Sequence, residues 1–266
     1  MTEPTTEPAA DPTAKPDSGG ATAAVLIIGN EILSGRTQDV NLAYLAKELG
    51  AIGIPVREAR VVPDIEAEIV AAVNATRAKY TYVFTTGGIG PTHDDITSPS
   101  VAKAFGVELV LDPEAVALLR RHYTSDMLNE ARLRMATVPK GSRLVDNPVS
   151  AAPGFQIGNV FVLAGVPAIM RAMFDGLKGR LAGGRPVMAA TVSTYLGEGT
   201  IARALGELQA RHPKVEIGSY PFFRQGKFGT SLVARSRDEA ELAAAAEGLR
   251  RLIRDHGAEP VEGEIE

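Results

Sequence analysis

Residues 24–28, Ala-Val-Leu-Ile-Ile, form an unbroken apolar run that stops at Gly29. A run of that length without alternation is the pattern of a strand buried on both faces, as in a parallel sheet. Over residues 38–49 the apolar positions change to helical spacing, and Gly50 and Gly53 close the segment. Residues 54–62 read as a second strand. Asp64 is then placed to cap a helix reaching Lys79, with Ile65, Ile69, Val70 and Val73 as its apolar positions. Residues 82–84 form a short third strand that runs into a glycine loop. This β-loop-α alternation predicts a three-layer α/β/α domain with a mostly parallel sheet.

Further on, Asp112-Pro113 opens a helix with proline in its first turn. Residues 129–137 read as another helix, 160–163 as a buried strand and 167–181 as the helix that follows it. Beyond residue 186 the pattern changes. Strand 187–195, helix 198–210, strands 215–219 and 230–235, helix 238–254 and a last short strand at 259–261 make the order βαββαβ. That is the order of a small α+β, ferredoxin-like unit. The Ala-Gly-Gly-Arg-Pro stretch at 182–186 divides the chain into a domain over 23–181 and a smaller one over 186–263.

Residues 1–22 differ from both. Proline recurs at 4, 8, 12 and 16 among Thr, Glu, Asp and Ala. Such a stretch buries too little surface to offset its ordering entropy and is expected to be a disordered tail. It has no apolar core of a signal peptide. No apolar run reaches the ~20 residues of a membrane helix. A cytoplasmic protein without a membrane partner is therefore expected.

Composition narrows the chemistry. The 266 residues carry 28 basic and 32 acidic side chains, a net charge of −4, with 5% aromatics and no Trp. Neither a basic footprint nor a stacking platform for nucleic acid is present. The absence of Cys excludes disulfides, thiolate metal sites and cysteine nucleophiles.

The chemistry-bearing residues gather in two loops, each following a predicted strand. The first contains Gly29, Asn30, Glu31, Asp39 and Asn41; the second contains Gly87, Gly88, Gly90, Thr92, His93, Asp94, Asp95 and Thr97. In open α/β sheets the carboxyl edge of the strands is where ligands bind. Neither loop has the GxGxxG of a dinucleotide fold or the GxxxxGK[ST] of a P-loop. Two readings of the glycines stand: a backbone cradle for phosphate ahead of a helix N-terminus, or a tight turn with a cap. Four carboxylates in these loops, Glu31, Asp39, Asp94 and Asp95, would repel a phosphate unless a divalent cation such as Mg²⁺, Mn²⁺ or Co²⁺ lay between them. One of them serving merely as a helix cap is the competing reading. His93 is placed either to act as a base or phosphate contact or to face solvent.

In these loops Gly-Asn-Glu-Ile-Leu with Gly35, Asp39 and Asn41, and Thr-Gly-Gly-Ile-Gly-Pro-Thr-His-Asp-Asp-Ile-Thr, resemble the MoaB/Mog-like molybdopterin-binding domain family. The second motif is similar to the branch of the CinA N-terminal domain and of the N-terminal domain of eukaryotic FAD synthases. Met135-Ala, Pro139-Lys-Gly, Asn147, Ala152-Pro-Gly-Phe and Leu163-Ala-Gly-Val-Pro also fit, and Gly218-Ser-Tyr-Pro resembles a motif of the smaller domain. The match covers residues 23–255. Two positions depart from the commoner pattern, Asn30 for Asp and Ala164 for Pro.

The resemblance implies a phosphate-bearing small-molecule ligand, a nucleotide or a pterin phosphate. In the CinA and FAD-synthase branch it implies metal-dependent cleavage of ADP-ribose- or FAD-like dinucleotides. Asp95, Asp94 and Glu31 would then be catalytic and, with Asp39, metal-binding. Gly29, Asn30, Asn41, Gly87, Gly88, Gly90, Thr92, His93, Thr97 and Gly165 would bind the ligand. The Mog branch implies instead molybdopterin binding or adenylyl transfer, and a non-catalytic assembly domain is the third alternative. Mog-like domains also imply a homo-oligomer. The 266 residues leave no length for the deamidase domain that follows this module in CinA, so deamidation is not expected.

Overall fold

The computed structural model describes residues 20–224 and 226–265. Of the predicted tail, residues 1–19 lie outside the described residues. Its last residues belong to the fold: Ala21 is buried, and Thr22 N–H donates to the Thr81 hydroxyl. The chain divides into two compact units, Met1–Gly184 and Arg185–Glu266.

In the first unit β1 (Ala23–Ile28) leads through a short helix α1 (Asn30–Leu33) to α2 (Asn41–Ala51) and β2 (Val56–Val62). Helix α3 (Glu66–Arg77), β3 (Tyr82–Thr86) and α4 (Thr97–Phe105) follow. Then come β4 (Leu109–Leu111), α5 (Pro113–His122), α6 (Glu130–Leu133), β5 (Thr137–Pro139), β6 (Arg143–Val145), β7 (Gly154–Ile157), β8 (Val160–Leu163) and α7 (Pro167–Leu177). The main sheet has the order β2-β1-β3-β8-β7-β6. Its first four strands are parallel, and β7 and β6 join antiparallel. The predicted mostly parallel three-layer sheet is therefore found.

Strand periodicity explains why the apolar runs are unbroken. Successive side chains alternate between faces. Val25 and Ile27 join Phe84, Phe161 and Leu163 in a core closed by Leu45 and Leu49 of α2 and Met170, Met173 and Phe174 of α7. Ala24, Leu26 and Ile28 join Val83, Val160 and Val162 in a second core closed by Ile69 and Val73 of α3 and Val101 of α4. Each run feeds two cores, so no position in it can be polar.

Several local expectations are corrected. Asp64 does not cap α3: Ile65 is the N-cap residue, and the Asp64 carboxylate accepts from Asn30 N–H, tying the loop after β1 to the end of β2. The helix predicted over 129–137 is only α6 followed by a 3₁₀ turn, Arg134–Ala136, because residues 137–139 pair with β4. Helix α7 stops at Leu177 and passes into a 3₁₀ turn, Lys178–Arg180. Strands β4 to β7, of three or four residues each, are additions to the expected elements.

The edge strand β2 carries a polar network. Glu58 accepts from the Tyr80 hydroxyl at 2.6 Å, from Lys79 at 3.0 Å and from Arg60 at 2.6 Å. These donors, Tyr80 foremost, hold its carboxyl at about 2 against an ordinary 4.5. A depressed carboxylate stabilises the fold above its unfolded value and loses that contribution as pH falls towards its folded value. Tyr80→Phe should therefore flatten the fall of the thermal midpoint between pH 4.5 and pH 2. An equally steep fall in the variant would refute this.

In the second unit β9 (Met188–Thr194), α8 (Glu198–Arg211), β10 (Glu216–Arg224), β11 (Lys227–Ser236), α9 (Glu239–Asp255) and β12 (Val261–Glu262) form an antiparallel sheet of order β10-β11-β9-β12. The order of elements is the predicted βαββαβ. Strand β10 runs five residues beyond the predicted end at 219, through Pro221. Proline is tolerated there because β10 is an edge strand.

Candidate functional site

The helix after β1, α2, packs on one face of the sheet and the helix after β3, α4, on the other. The loops after β1 and β3 therefore part at the carboxyl end of two neighbouring parallel strands, which opens a crevice. The loop after β8 supplies its third wall.

Glycine is required where the walls meet. Gly87 has φ 101°, and a Cβ there would lie 2.1 Å from the Ile28 carbonyl oxygen of β1. Gly88 has φ 68°, and its Cβ would lie 2.2 Å from Thr97 Oγ1. Thr97 uses that hydroxyl to donate to the Gly87 carbonyl at 2.9 Å, and its N–H donates to the Gly88 carbonyl at 3.0 Å. The start of α4 thus clamps the glycine turn.

A cavity of 520 Å³ fills the crevice. Gly87, Gly88, Gly90, Glu31, Asp95 and Gly165 line it, together with Ser150, Ala152 and Ile169. An adjoining recess of 60 Å³ is lined by Glu31, Asp39, Asn41 and Gly165. Asn41 is 5% exposed. Its amide N–H donates to the Gly165 carbonyl at 2.7 Å, while its Oδ1 has no partner among the described residues. The amide orientation follows from the chemistry, since a carbonyl can only accept. A buried acceptor without a donor costs about 1–3 kcal/mol. Asn41 itself lines the 60 Å³ recess.

The four carboxylates do not converge as the sequence suggested. Among the described residues no group of three or more His, Cys, Asp and Glu side chains is placed to hold a metal ion. Glu31 lines both cavities, Asp95 only the larger and Asp39 only the smaller. Asp39 Oδ1 also accepts from Leu42 N–H at 2.9 Å, the capping role weighed above. Asp95 Oδ2 accepts from the N–H and hydroxyl of Thr92, at 2.8 and 2.6 Å, which closes the turn after Gly90. Asp94 and His93 face solvent with side chains 64% and 97% exposed, and His93 Nδ1 stands 3.9 Å from Asp94 Oδ1. The Thr92 hydroxyl and its own backbone N–H hold the Asp94 carboxyl below its ordinary value. Asn30, Thr92 and Thr97 shape the loops rather than line the cavity, and Gly29 is covered by the Glu31 carboxylate.

One wall was not assigned a role from the sequence. Asn147 is buried, and its side chain donates to Ser150 Oγ and the Ala152 carbonyl while accepting from the N–H groups of Val149 and Ser150. It holds Ala151 at φ 58° and sets Ser150 against the cavity. The available signal was the Asn147-Pro148 pair five residues before Ala152-Pro153-Gly154.

A glycine-walled cavity at a sheet switch point defines a small-molecule-binding α/β domain. Residues 24–183 match the family described as "Probable molybdopterin binding domain", and residues 186–262 match the FAD synthase middle domain. The chain belongs to this MoaB/Mog-like family. A protein of Pyrobaculum calidifontis is 39% identical over 75% of this chain and 80% of its own length. The "Probable FAD synthase" of Caenorhabditis elegans is 33% identical over 88% of this chain, which spans half of that protein's length. Among solved structures, a Thermoplasma acidophilum protein described as CinA with unknown function is 36% identical with a TM-score of 0.58, over 61% of this chain and 99% of its own. Among the described residues no helix is long and apolar enough to cross a membrane.

Proposed function

We propose that the protein is a divalent-metal-dependent pyrophosphatase of FAD- or ADP-ribose-like dinucleotides. The observation that carries this reading is the buried, unpartnered Asn41 Oδ1, set between the glycine turn and two carboxylates. An amide oxygen together with Glu31 and Asp39 is the hard-oxygen donor set that suits Mg²⁺ or Mn²⁺, ions usually held by one or two carboxylates plus substrate phosphates. Such a cation would neutralise diphosphate charge and polarise the bond to be cut. The backbone of Gly87, Gly88 and Gly90 receives the diphosphate, and Asn41 fixes the edge of the site. Asp95 accepts the proton of the attacking water. That water adds to one phosphorus, and the bond to the bridging oxygen breaks, releasing two monophosphates. With FAD the products are AMP and FMN. The similarity of the second unit to the FAD synthase middle domain supports a flavin dinucleotide as substrate.

Incubation of the protein with FAD or ADP-ribose and Mg²⁺, Mn²⁺ or Co²⁺ should release AMP. No AMP with any of the three metals would overturn the proposal. The family match favours one rival, a molybdopterin-binding or adenylyl-transfer protein. Tight pterin binding without dinucleotide hydrolysis would establish that instead.

A further inference from the structure

A third cavity lies beside the 520 Å³ one, and of its lining residues only Gly90 and Asp95 have a part in the reading above. Its volume is 180 Å³. That is below the roughly 300 Å³ at which pockets begin to hold a whole drug-sized ligand, so it suits one part of a molecule. The two cavities share Ile89, Gly90, Asp95 and Met135, and so adjoin along the turn that carries Asp95. The floor of the smaller one is apolar, with Val138 and Phe155 buried. Leu109, 38% exposed, also lines it. Ser98 and Thr137 line its walls, and no hydrogen bond joins either hydroxyl to another described residue. Arg134, exposed and in no ion pair among the described residues, lines it as well.

These features select among ligand parts. A phosphate would set its charged oxygens against the apolar floor of Val138 and Phe155. A sugar would leave its hydroxyls against Val138 and Phe155. An alkyl chain would leave the two wall hydroxyls without use. A planar heteroaromatic ring satisfies all of them. Its faces bury against the apolar floor, its edge atoms meet Ser98 and Thr137, and a guanidinium plane stacks on it.

We infer that the 180 Å³ cavity is a base subsite, which takes the nucleobase of a nucleotide whose phosphates pass over the Gly90–Asp95 turn into the 520 Å³ cavity. This rests on the nucleotide reading given above. It sets the other half of a dinucleotide in the 520 Å³ cavity, and the bond to be cut beside Asp95.

Calorimetric titration of the full chain with AMP, and separately with FMN, tests the subsite. The wild-type protein should bind AMP. Leu109→Trp fills the cavity and should weaken AMP at least tenfold while leaving FMN within twofold. Arg134→Ala, an exposed change that breaks no ion pair, should weaken AMP by about threefold to tenfold and keeps the test valid if the tryptophan variant does not fold. Equal AMP affinity in wild type and variants, parallel loss of FMN, or no AMP binding by the wild type would overturn the inference. The two readings fail separately. Absent dinucleotide hydrolysis with this AMP pattern removes the pyrophosphatase and keeps the base subsite; hydrolysis without the pattern does the reverse.

Discussion

Gly87→Ala is expected to destabilise the first unit by at least about 2–3 kcal/mol and to abolish ligand binding. Two costs add. A φ of 101° is strained for any residue with a Cβ, and the new methyl carbon would stand 2.1 Å from the Ile28 carbonyl oxygen. That oxygen belongs to the backbone of a fully buried strand, so no flexible side chain can yield. Relief requires the glycine turn to move away from β1, which breaks the Gly87 N–H bond to the Leu163 carbonyl and the Thr97 clamp. Scanning calorimetry should show a lower midpoint for the transition of the first unit. An unchanged midpoint would show that the turn is not fixed against β1. Gly50 is a suitable control, since a Cβ there meets nothing within 4 Å.

The second large effect concerns activity. Asp95→Asn should lower kcat for dinucleotide cleavage about a hundredfold or more, the scale on which one positioned general base counts. The substitution separates chemistry from shape. An asparagine Oδ1 still accepts from the N–H and hydroxyl of Thr92, so the turn after Gly90 stays closed. What is lost is the negative charge that takes a proton from water. KM and the thermal midpoint should stay near the wild-type values. Activity retained at the wild-type level would remove Asp95 from the chemistry. The same change at Asp94, whose side chain is 64% exposed, should leave kcat within about twofold, because it does not line the cavity.

The site was legible in outline and illegible in arrangement. Glu31, Asn41, Asp95 and the three glycines were recognisable as a set because loops at the carboxyl ends of parallel strands must approach one another. The roles of the carboxylates could not be read off, because spacing along a loop says nothing of which oxygen a nearby N–H captures. Asp39 was taken by Leu42 and Asp95 by Thr92, each through a backbone N–H three residues away, and Asp64 by Asn30, 34 residues away in the chain. The 147–152 wall and Arg134 were missed for another reason. They lie far along the chain, and they reach the crevice only because β5 and β7 pair with β4 and β8.

Short-range physics in the chain decides the layers. An apolar run such as 24–28 has no polar position to offer to water, which fits a strand covered on both faces, and its alternation with helical spacing points to a parallel sheet. The βαββαβ order of the second unit follows in the same way from alternating periods. Long-range pairing decides the rest. The antiparallel attachment of β7 and β6, the meeting of Gly87 with Ile28, and the stranded Oδ1 of Asn41 depend on contacts between residues far apart in sequence. Their energies do not exist until the sheet has closed, so no local pattern carries them.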